Sequence, residues 1–305
     1  MSIMVSVKKR FIVITGGAGF VGSNLIEVLL KKTKKNLISI DNYSSGNKKN
    51  HLKHSRIKYI KGNTQNINSL LKKYKSNIET IFHFGEFSRI YQSFHKFSQC
   101  FKSNSIGTNE VFKFCLENNI KLIYSATSAT LGNRGNDKNL SPYSFTKAKN
   151  LELLENLKKW FNFKYEVIFF YNVYGPRQIS NGHMATVIGI FEKCYLKNKP
   201  LPIVRPGTQS RRFTHINDTI NVCLKAWKAN KCRFYSISNK ESYTIKQVAL
   251  LFKSKVKYMP KRKGERYASA LTSMSLSNKV YKNFGKINLK EYVNIFVKSA
   301  QFKAK

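Results

Sequence analysis

The stretch TGGAGFVG, residues 15–22, lies between a short apolar run (11–14) and a segment with helical periodicity (21–30). Glycines at these places permit a tight turn and a close approach of the backbone to a ligand. The first turn of the following helix would offer free amide groups and the positive end of its dipole to phosphates. The stretch therefore predicts a pyrophosphate site on a strand–turn–helix unit, with Gly16, Gly19 and Gly22 at its centre.

Asp41 strengthens this interpretation, because it follows Gly22 by 19 residues and ends a second apolar run at 37–40. A carboxylate in that position accepts hydrogen bonds from ribose hydroxyls and repels a 2′-phosphate. The sequence thus favours NAD as the cofactor. Lys48, a cation that could meet a 2′-phosphate, leaves NADP open as an alternative.

Strand-like and helix-like segments alternate through the first 170 residues, as in a parallel sheet built from βαβ units. The further predicted strands are 57–60, 80–84, 121–124 and 165–170, and the further helices are 68–74, 100–117 and 143–161. The predicted fold class is α/β, a doubly wound parallel Rossmann sheet with a smaller C-terminal substrate-binding lobe. We assign 1–170 to the NAD-binding Rossmann domain and 171–305 mainly to the lobe. Part of the chain at about 211–240, with a strand at 234–237, is expected to return to the Rossmann domain.

The chain carries 55 Lys and Arg against 15 Asp and Glu, a formal charge of +40. The lysines are scattered rather than clustered, so we expect steering of anionic substrates and no specific nucleic acid partner. Five cysteines without CxxC spacing indicate reduced thiols and no metal site. No apolar run is long enough to span a bilayer, so we expect a cytoplasmic protein with no membrane partner.

Tyr143 and Lys147 are four residues apart at the start of a predicted helix, and they therefore share one face. A nearby ammonium lowers the pKa of a phenol, which is otherwise a poor base at neutral pH. Thr127 ends the preceding strand and could hydrogen-bond the oxygen of a reacting hydroxyl group. These three side chains are the candidate catalytic residues.

Taken together, these features resemble the extended short-chain dehydrogenase/reductase family, in its NAD-dependent epimerase/dehydratase branch. UDP-glucose/galactose 4-epimerases and heptose-nucleotide epimerases are the relatives it resembles most. The resemblance covers nearly the whole chain and rests on TGGAGFVG (15–22), IDNYSSG (40–46), HFGEFS (83–88), Asn104 with Gly107 and Thr108, SATSATLG (125–132), YSFTK (143–147), YNVYGPR (171–177) and RRFTHINDT (211–219). It implies a homodimer in which helices 100–117 and 143–161 pair with those of a second copy.

The resemblance also implies roles for individual residues. Besides Gly16, Gly19, Gly22, Asp41, Tyr143 and Lys147, the implied cofactor-binding residues are Phe20, Val21, Asn42, Asn63, Thr64, Phe84, Gly85, Asn104 and Tyr171. For a nucleotide-sugar substrate, the implied residues are Thr127, Asn172, Arg211 and Arg262. The expected reaction is C4 epimerisation of a UDP-hexose or UDP-N-acetylhexosamine by transient oxidation to a keto-sugar.

Departures from the family pattern narrow the chemistry. Ser128 and Ala129 follow Thr127, where 4,6-dehydratases have Asp-Glu and the decarboxylating relatives have a Glu. Asn181 stands where heptose 6-epimerases have a lysine, although His183 is nearby. An NAD(P)H-dependent keto-sugar nucleotide reductase and a heptose-nucleotide epimerase remain the alternatives. A non-catalytic nucleotide- or nucleic-acid-binding protein is a further alternative, from a different class.

Overall fold

A computed structural model describes residues 10–131, 133–264 and 280–303 of the chain. Its centre is an eight-stranded parallel sheet formed by β1 (Phe11–Thr15), β2 (Asn36–Asp41), β3 (Ile57–Lys61), β4 (Ile78–His83), β5 (Lys121–Thr127), β6 (Tyr165–Phe170), β11 (Phe234–Ser238) and β14 (Val280–Phe284). The order across the sheet is β14-β11-β6-β5-β4-β1-β2-β3. This arrangement confirms the predicted α/β class and parallel sheet.

Helices cover both faces of the sheet and build the rest of the molecule. They are α1 (Phe20–Lys32), α2 (Ile67–Leu71), α3 (Ile90–His95), α4 (Phe97–Phe101), α5 (Thr108–Glu117), α6 (Pro142–Phe161), α7 (Val187–Leu196), α8 (Ile216–Lys228), α9 (Ile245–Leu251) and α10 (Leu289–Lys303). Successive side chains of a strand point to opposite faces, so each face of a sheet covered on both sides must be apolar. One buried cluster joins α5 and α6 to the sheet, and a second joins α1 and α8 to the opposite face.

A third buried cluster forms the core of the C-terminal lobe, with α7, α9 and α10 around it. Short strands complete this lobe and its connection to the sheet: β7 (Val173–Tyr174), β8 (Leu201–Val204), β9 (Ser210–Arg212), β10 (Thr214–His215), β12 (Ser242–Thr244) and β13 (Val256–Met259). They pair as β7 with β10, β9 with β12, and β8 with β13. Within the described residues no helix is long and apolar enough to cross a membrane.

The chain re-enters the main sheet after the first lobe segments. Residues 234–237, for which the sequence predicts a returning strand, lie in β11, and α8 packs on the sheet just before it. The strand β14, which pairs with β11, was not predicted. Asp218 of α8 ties the segment after β14 to this body, because its Oδ2 accepts hydrogen bonds from the backbone amides of Lys286 and Ile287 at 2.9 and 3.1 Å.

The segment predicted as one helix at 100–117 consists of three pieces. A π-helical turn at 102–107 separates α4 from α5. Gly107 lies in this turn, and a Cβ there would come within 2.2 Å of Thr64 Oγ1. The close approach of Thr64, a residue of the predicted cofactor site, requires a glycine at this point. Such π turns are frequent at functional sites.

Candidate active site

A cavity of about 1110 Å³ opens at the carboxyl ends of the strands and extends to the lobe. Ligands of open parallel sheets bind at this edge. Segments that follow six neighbouring strands line the cavity, and the lobe closes it through residues between 172 and 213, Ile245 and Arg262. The volume exceeds that of an ordinary small-molecule pocket, so it has room for a dinucleotide together with a substrate.

The glycine stretch forms the floor of this cavity. Gly16 adopts φ +71°, and a Cβ on it would lie 2.8 Å from the backbone of Phe84. A Cβ on Gly22 would lie 2.2 Å from the carbonyl oxygen of Gly16. No side chain caps the first turn of α1, and Gly19, Phe20, Val21 and Gly22 all line the cavity. Uncapped amides at a helix N-terminus suit a pyrophosphate, so this part of the site fits a dinucleotide.

Asp41 marks the adenosine end of the cavity. Its carboxylate accepts hydrogen bonds from the backbone amides of Ala18, at 3.0 Å, and Tyr43, at 2.8 Å. Burial raises the pKa of Asp41, while these two amides work in the opposite direction. Each carboxylate oxygen keeps a lone pair that could accept a ribose hydroxyl, so the arrangement fits the predicted role.

Three other predicted residues lie around this end of the cavity. Asn42 donates from Nδ2 to Asn63 Oδ1 at 2.8 Å, and both residues line the cavity together with Thr64. Lys48 does not line it, and its Nζ lies 5.9 Å from the centroid of the Tyr43 ring. Lys48 was the reason to keep NADP as an alternative cofactor, and its ammonium lies near an aromatic ring rather than in the cavity lining.

The predicted catalytic side chains lie on one wall of the cavity. Ser141 begins α6 as its N-cap by accepting from the amide of Ser144 at 3.1 Å, and Pro142 occupies the first turn. This cap sets the helix that carries Tyr143 and Lys147. Thr127 ends β5, and its Oγ1 accepts from the amide of Ala129 at 3.2 Å.

Lys147 makes a buried ion pair that the sequence did not predict. Its Nζ donates to Glu86 Oε2 and to the carbonyl oxygen of Ser125. Burial lowers the pKa of Lys147, and the nearby carboxylate of Glu86 opposes this shift.

Three further donors contact the carboxylate of Glu86. Glu86 Oε1 accepts hydrogen bonds from the hydroxyls of Thr108, at 3.0 Å, and Tyr124, at 3.1 Å, and from Asn150 Nδ2 at 3.4 Å. The sequence did carry a signal for Glu86. The chain has only 15 acidic residues, and this one lies between Gly85 and Phe87, shortly after a buried strand.

Arg89 is a second residue that the sequence analysis missed. It lines the cavity next to the segment that connects β4 with α3. Its guanidinium donates to the carbonyl oxygens of Ser88 and Met184. In the sequence, Arg89 ends the segment HFGEFSR (83–89), which has neither helical nor strand-like periodicity. The sequence therefore did not predict the burial of the Arg89 side chain.

The predicted substrate residues Asn172, Arg211 and Arg262 also line the cavity. Asn172 has φ +21° and donates from Nδ2 to the carbonyl oxygen of Arg212 at 2.8 Å. Arg211 is buried, whereas Arg262 is exposed and lies 5.4 Å from the centroid of the Tyr91 ring. The two arginines thus reach the same cavity from different parts of the lobe.

Two predicted cofactor residues lie outside the cavity lining. Asn104 is fully buried, and its side chain bonds the amide and the carbonyl of Phe87 at 2.7 and 3.0 Å. It therefore holds the loop that carries Glu86 rather than facing the cavity. The hydroxyl of Tyr171 accepts from Ser236 Oγ at 3.2 Å, within the core.

The residues considered for a heptose epimerase also lie away from the cavity lining. Asn181 accepts a hydrogen bond from Lys193 Nζ, and both Asn181 and His183 are exposed. Neither of them is placed to act as a second acid or base. Among the described residues no group of three or more His, Cys, Asp or Glu side chains could hold a metal ion.

Comparisons with known proteins extend these observations. The model of the NAD dependent epimerase/dehydratase family matches residues 12–238. A Bacillus subtilis (strain 168) protein named as an uncharacterized UDP-glucose epimerase, YtcB, is 32% identical over 228 residues, which are 68% of this chain and 70% of that protein.

Solved structures show the same fold over nearly the full length. A UDP-glucose 4-epimerase from Thermotoga maritima, solved with UDP-glucose, has a TM-score of 0.85 and 23% identity, covering 97% of this chain and 100% of that one. A UDP-glucose 4-epimerase from Thermus thermophilus, solved with NAD, has a TM-score of 0.82 and 20% identity, covering 96% of this chain and 99% of that one.

Proposed function

Because the chain belongs to the NAD dependent epimerase/dehydratase family, we propose that it is a nucleotide-sugar 4-epimerase acting on a UDP-hexose or UDP-N-acetylhexosamine. One observation carries the proposal. Thr127, Tyr143 and Lys147 line the same cavity as the glycine stretch and Asp41, so the candidate base and the dinucleotide site are brought together.

NAD is the family's cofactor, and the glycine stretch, the first turn of α1 and Asp41 are the groups that would hold it. When bound, it supplies a reversible hydride acceptor, so that a hydroxyl can be oxidised and then restored. The chain's own task is to bind the sugar, to move one proton at the reacting oxygen, and to exclude water from the site.

Tyr143 is the group that takes the proton. As a phenolate it accepts the proton of the sugar C4 hydroxyl, and as a phenol it returns that proton when the alcohol re-forms. Thr127 hydrogen-bonds the same oxygen and orients it. Both side chains are buried and line the cavity, so little water can compete for the proton.

Epimerisation requires the keto-sugar to present its opposite face before it is reduced. Arg211 and Arg262 would hold the diphosphate through paired N–H donors, which leaves the sugar free to turn about the glycosidic linkage. A nucleotide-sugar diphosphate also matches the positive charge of the chain, which steers anions towards the cavity.

The residues directly after β5 disfavour dehydration. Ser128 and Ala129, which follow Thr127, are buried and carry no ionisable group. A keto-sugar nucleotide reductase would use the same three side chains, so it remains the second candidate. The two differ in cofactor use, because a reductase consumes one reduced cofactor in each turnover.

The first experiment measures cofactor retention and turnover together. We expect the purified protein to carry NAD by mass spectrometry and to interconvert UDP-glucose with UDP-galactose, or their N-acetylated forms, without added cofactor. Tyr143→Phe should abolish interconversion while NAD stays bound.

Tyr74→Phe is the matched control, since this tyrosine lies outside the cavity and its hydroxyl accepts a hydrogen bond from the exposed Lys58. It should retain activity. Turnover that needs added NAD(P)H and a keto-sugar would replace the epimerase proposal with the reductase.

A further inference from the structure

The positive charge of Lys147 is neutralised within the protein. Its side chain and that of Glu86 are only 4% and 3% exposed, and the two form a direct ion pair. The negative charge of Glu86 therefore reduces the positive field of Lys147 at a third group. The ion pair with Glu86 thus lessens the support that Lys147 gives to the phenolate of Tyr143.

Arg89 carries a charge that is not neutralised in this way. In the described parts of the chain it has no acidic partner, and its hydrogen bonds go to the carbonyl oxygens of Ser88 and Met184. Its Nε is buried without a hydrogen-bond partner. Burial lowers the pKa of Arg89, but an arginine stays protonated at neutral pH because its ordinary value is so high.

Arg89 lies beside Tyr143. The phenol ring packs in a small buried cluster that includes Phe87 and has Ile90 and Met184 against it. Phe87 and Ile90 flank Arg89 in the chain, and Met184 accepts its hydrogen bond. The amide of Tyr143 donates to Ser93 Oγ on α3, the helix that begins directly after Arg89, at 3.3 Å.

Electrostatics supports this placement, since Tyr143 partly opposes the lowering of the pKa of Arg89. Two other titratable groups near Tyr143 carry no charge at neutral pH. Burial raises the pKa of Cys100 on α4 to about 11 and raises the pKa of Tyr124 on β5 well above its ordinary value. Arg89 is thus a positive charge near Tyr143 for which no acidic partner is found among the described residues.

We propose that Arg89 is a positioning residue that, together with Lys147, supplies the positive field favouring the phenolate of Tyr143. The inference rests on the proposed role of Tyr143 as the base. It assigns the base an electrostatic support from the end of the β4–α3 loop.

The test is a titration of Tyr143 itself. Tyrosinate absorbance of each variant is recorded against pH, and the same variant carrying Tyr143→Phe is subtracted. Arg89→Met should raise the pKa of Tyr143 by about one unit, which means about tenfold less phenolate at any pH below that value. The acid limb of the kcat/KM profile should move to higher pH by the same amount, because the phenolate is the active form.

Two further variants separate charge from structure. Arg89→Lys keeps the charge and should leave most of the wild-type pKa. Arg56→Met is the matched control, because Arg56 also donates to backbone carbonyl oxygens, those of Leu30 and Thr33, but lies next to β3, away from Tyr143. It should leave the titration unchanged.

An unchanged titration in folded Arg89→Met overturns the inference, and so does an equal shift in Arg89→Lys or Arg56→Met. The titration needs no substrate, so the two proposals can fail separately. A protein that shows the shift but interconverts no nucleotide sugar supports this inference and contradicts the proposed function.

Discussion

At the scale of single residues, the sequence predicted the groups whose chemistry depends on local spacing. Tyr143 and Lys147 could be proposed as catalytic residues because four residues separate them on one helix, and Asp41 as a cofactor residue because it ends a strand after the glycine stretch. Glu86 and Arg89 could not be found in this way. Their importance arises from burial against segments distant in the chain, such as α6 and the loop at Met184, and spacing does not encode that burial.

Asp41 permits a prediction about cofactor choice. Asp41→Asn keeps an acceptor for the amide of Ala18 or Tyr43 but removes the charge that repels a 2′-phosphate. We expect the preference for NAD over NADP to fall about tenfold, measured as the ratio of their dissociation constants with the cofactor-free protein.

Lys48→Met is the comparison variant for this measurement, because the Lys48 ammonium of the wild type lies near the Tyr43 ring, outside the cavity lining. It should leave the ratio unchanged. If Lys48→Met changed NADP affinity more than Asp41→Asn did, the assignment of cofactor choice to Asp41 would be wrong.

At the scale of elements, the alternation of apolar runs with helical segments predicted the first six strands, since each buried strand must be apolar on both faces. It did not predict the interruption of helix 100–117, because the π turn is imposed by the contact between Gly107 and Thr64. It also did not predict β14, whose partner β11 is separated from it by the α9 and β13 segments.

Glu166 of β6 permits a prediction about how such distant elements are joined. It is fully buried and accepts hydrogen bonds from three consecutive amides before β11, those of Lys231, Cys232 and Arg233, at 2.7, 3.1 and 3.1 Å. In Glu166→Gln, one acceptor oxygen becomes a donor that faces an amide. We expect the free energy of unfolding to fall by about 1–3 kcal/mol, measured by urea denaturation.

Glu152→Gln provides the control, because Glu152 is exposed and pairs with the equally exposed Lys149. Its effect should be too small to resolve in the same measurement, because water screens an exposed ion pair. Equal stability of Glu166→Gln and the wild type would show that the three amides do not depend on the carboxylate.

At the scale of the whole molecule, an exposed apolar surface lies on the segments 97–106 and 143–161. The resemblance implies that helices in this region pair with those of a second copy. Phe97 of α4 is 54% exposed and Ile106 of the π turn 53%, and Phe145 of α6 is also exposed. Phe101 connects them, with its ring centroid 4.5 Å from that of Phe97 and 6.4 Å from that of Phe145. Exposed aromatic groups of this extent are typical of an interface.

We therefore expect a homodimer in sedimentation experiments at micromolar concentration. Phe97→Glu combined with Phe145→Glu should give a monomer, since a dimer would bury the introduced carboxylates of both copies without partners. Leu250→Glu, at an exposed site on α9, should remain dimeric. A wild-type protein that sediments as a monomer contradicts the prediction.

The pairing of β14 with β11 has a consequence for synthesis of the chain on the ribosome. Residues 239–264, which include β12, α9 and β13, are translated between these two neighbouring strands. During that interval β11 can already pair with β6, but its other edge has no neighbour. An unpaired strand edge readily joins another chain. The nascent protein is therefore most exposed to aggregation and to chaperone binding while its lobe is being made, and this exposure ends when residues 280–284 emerge.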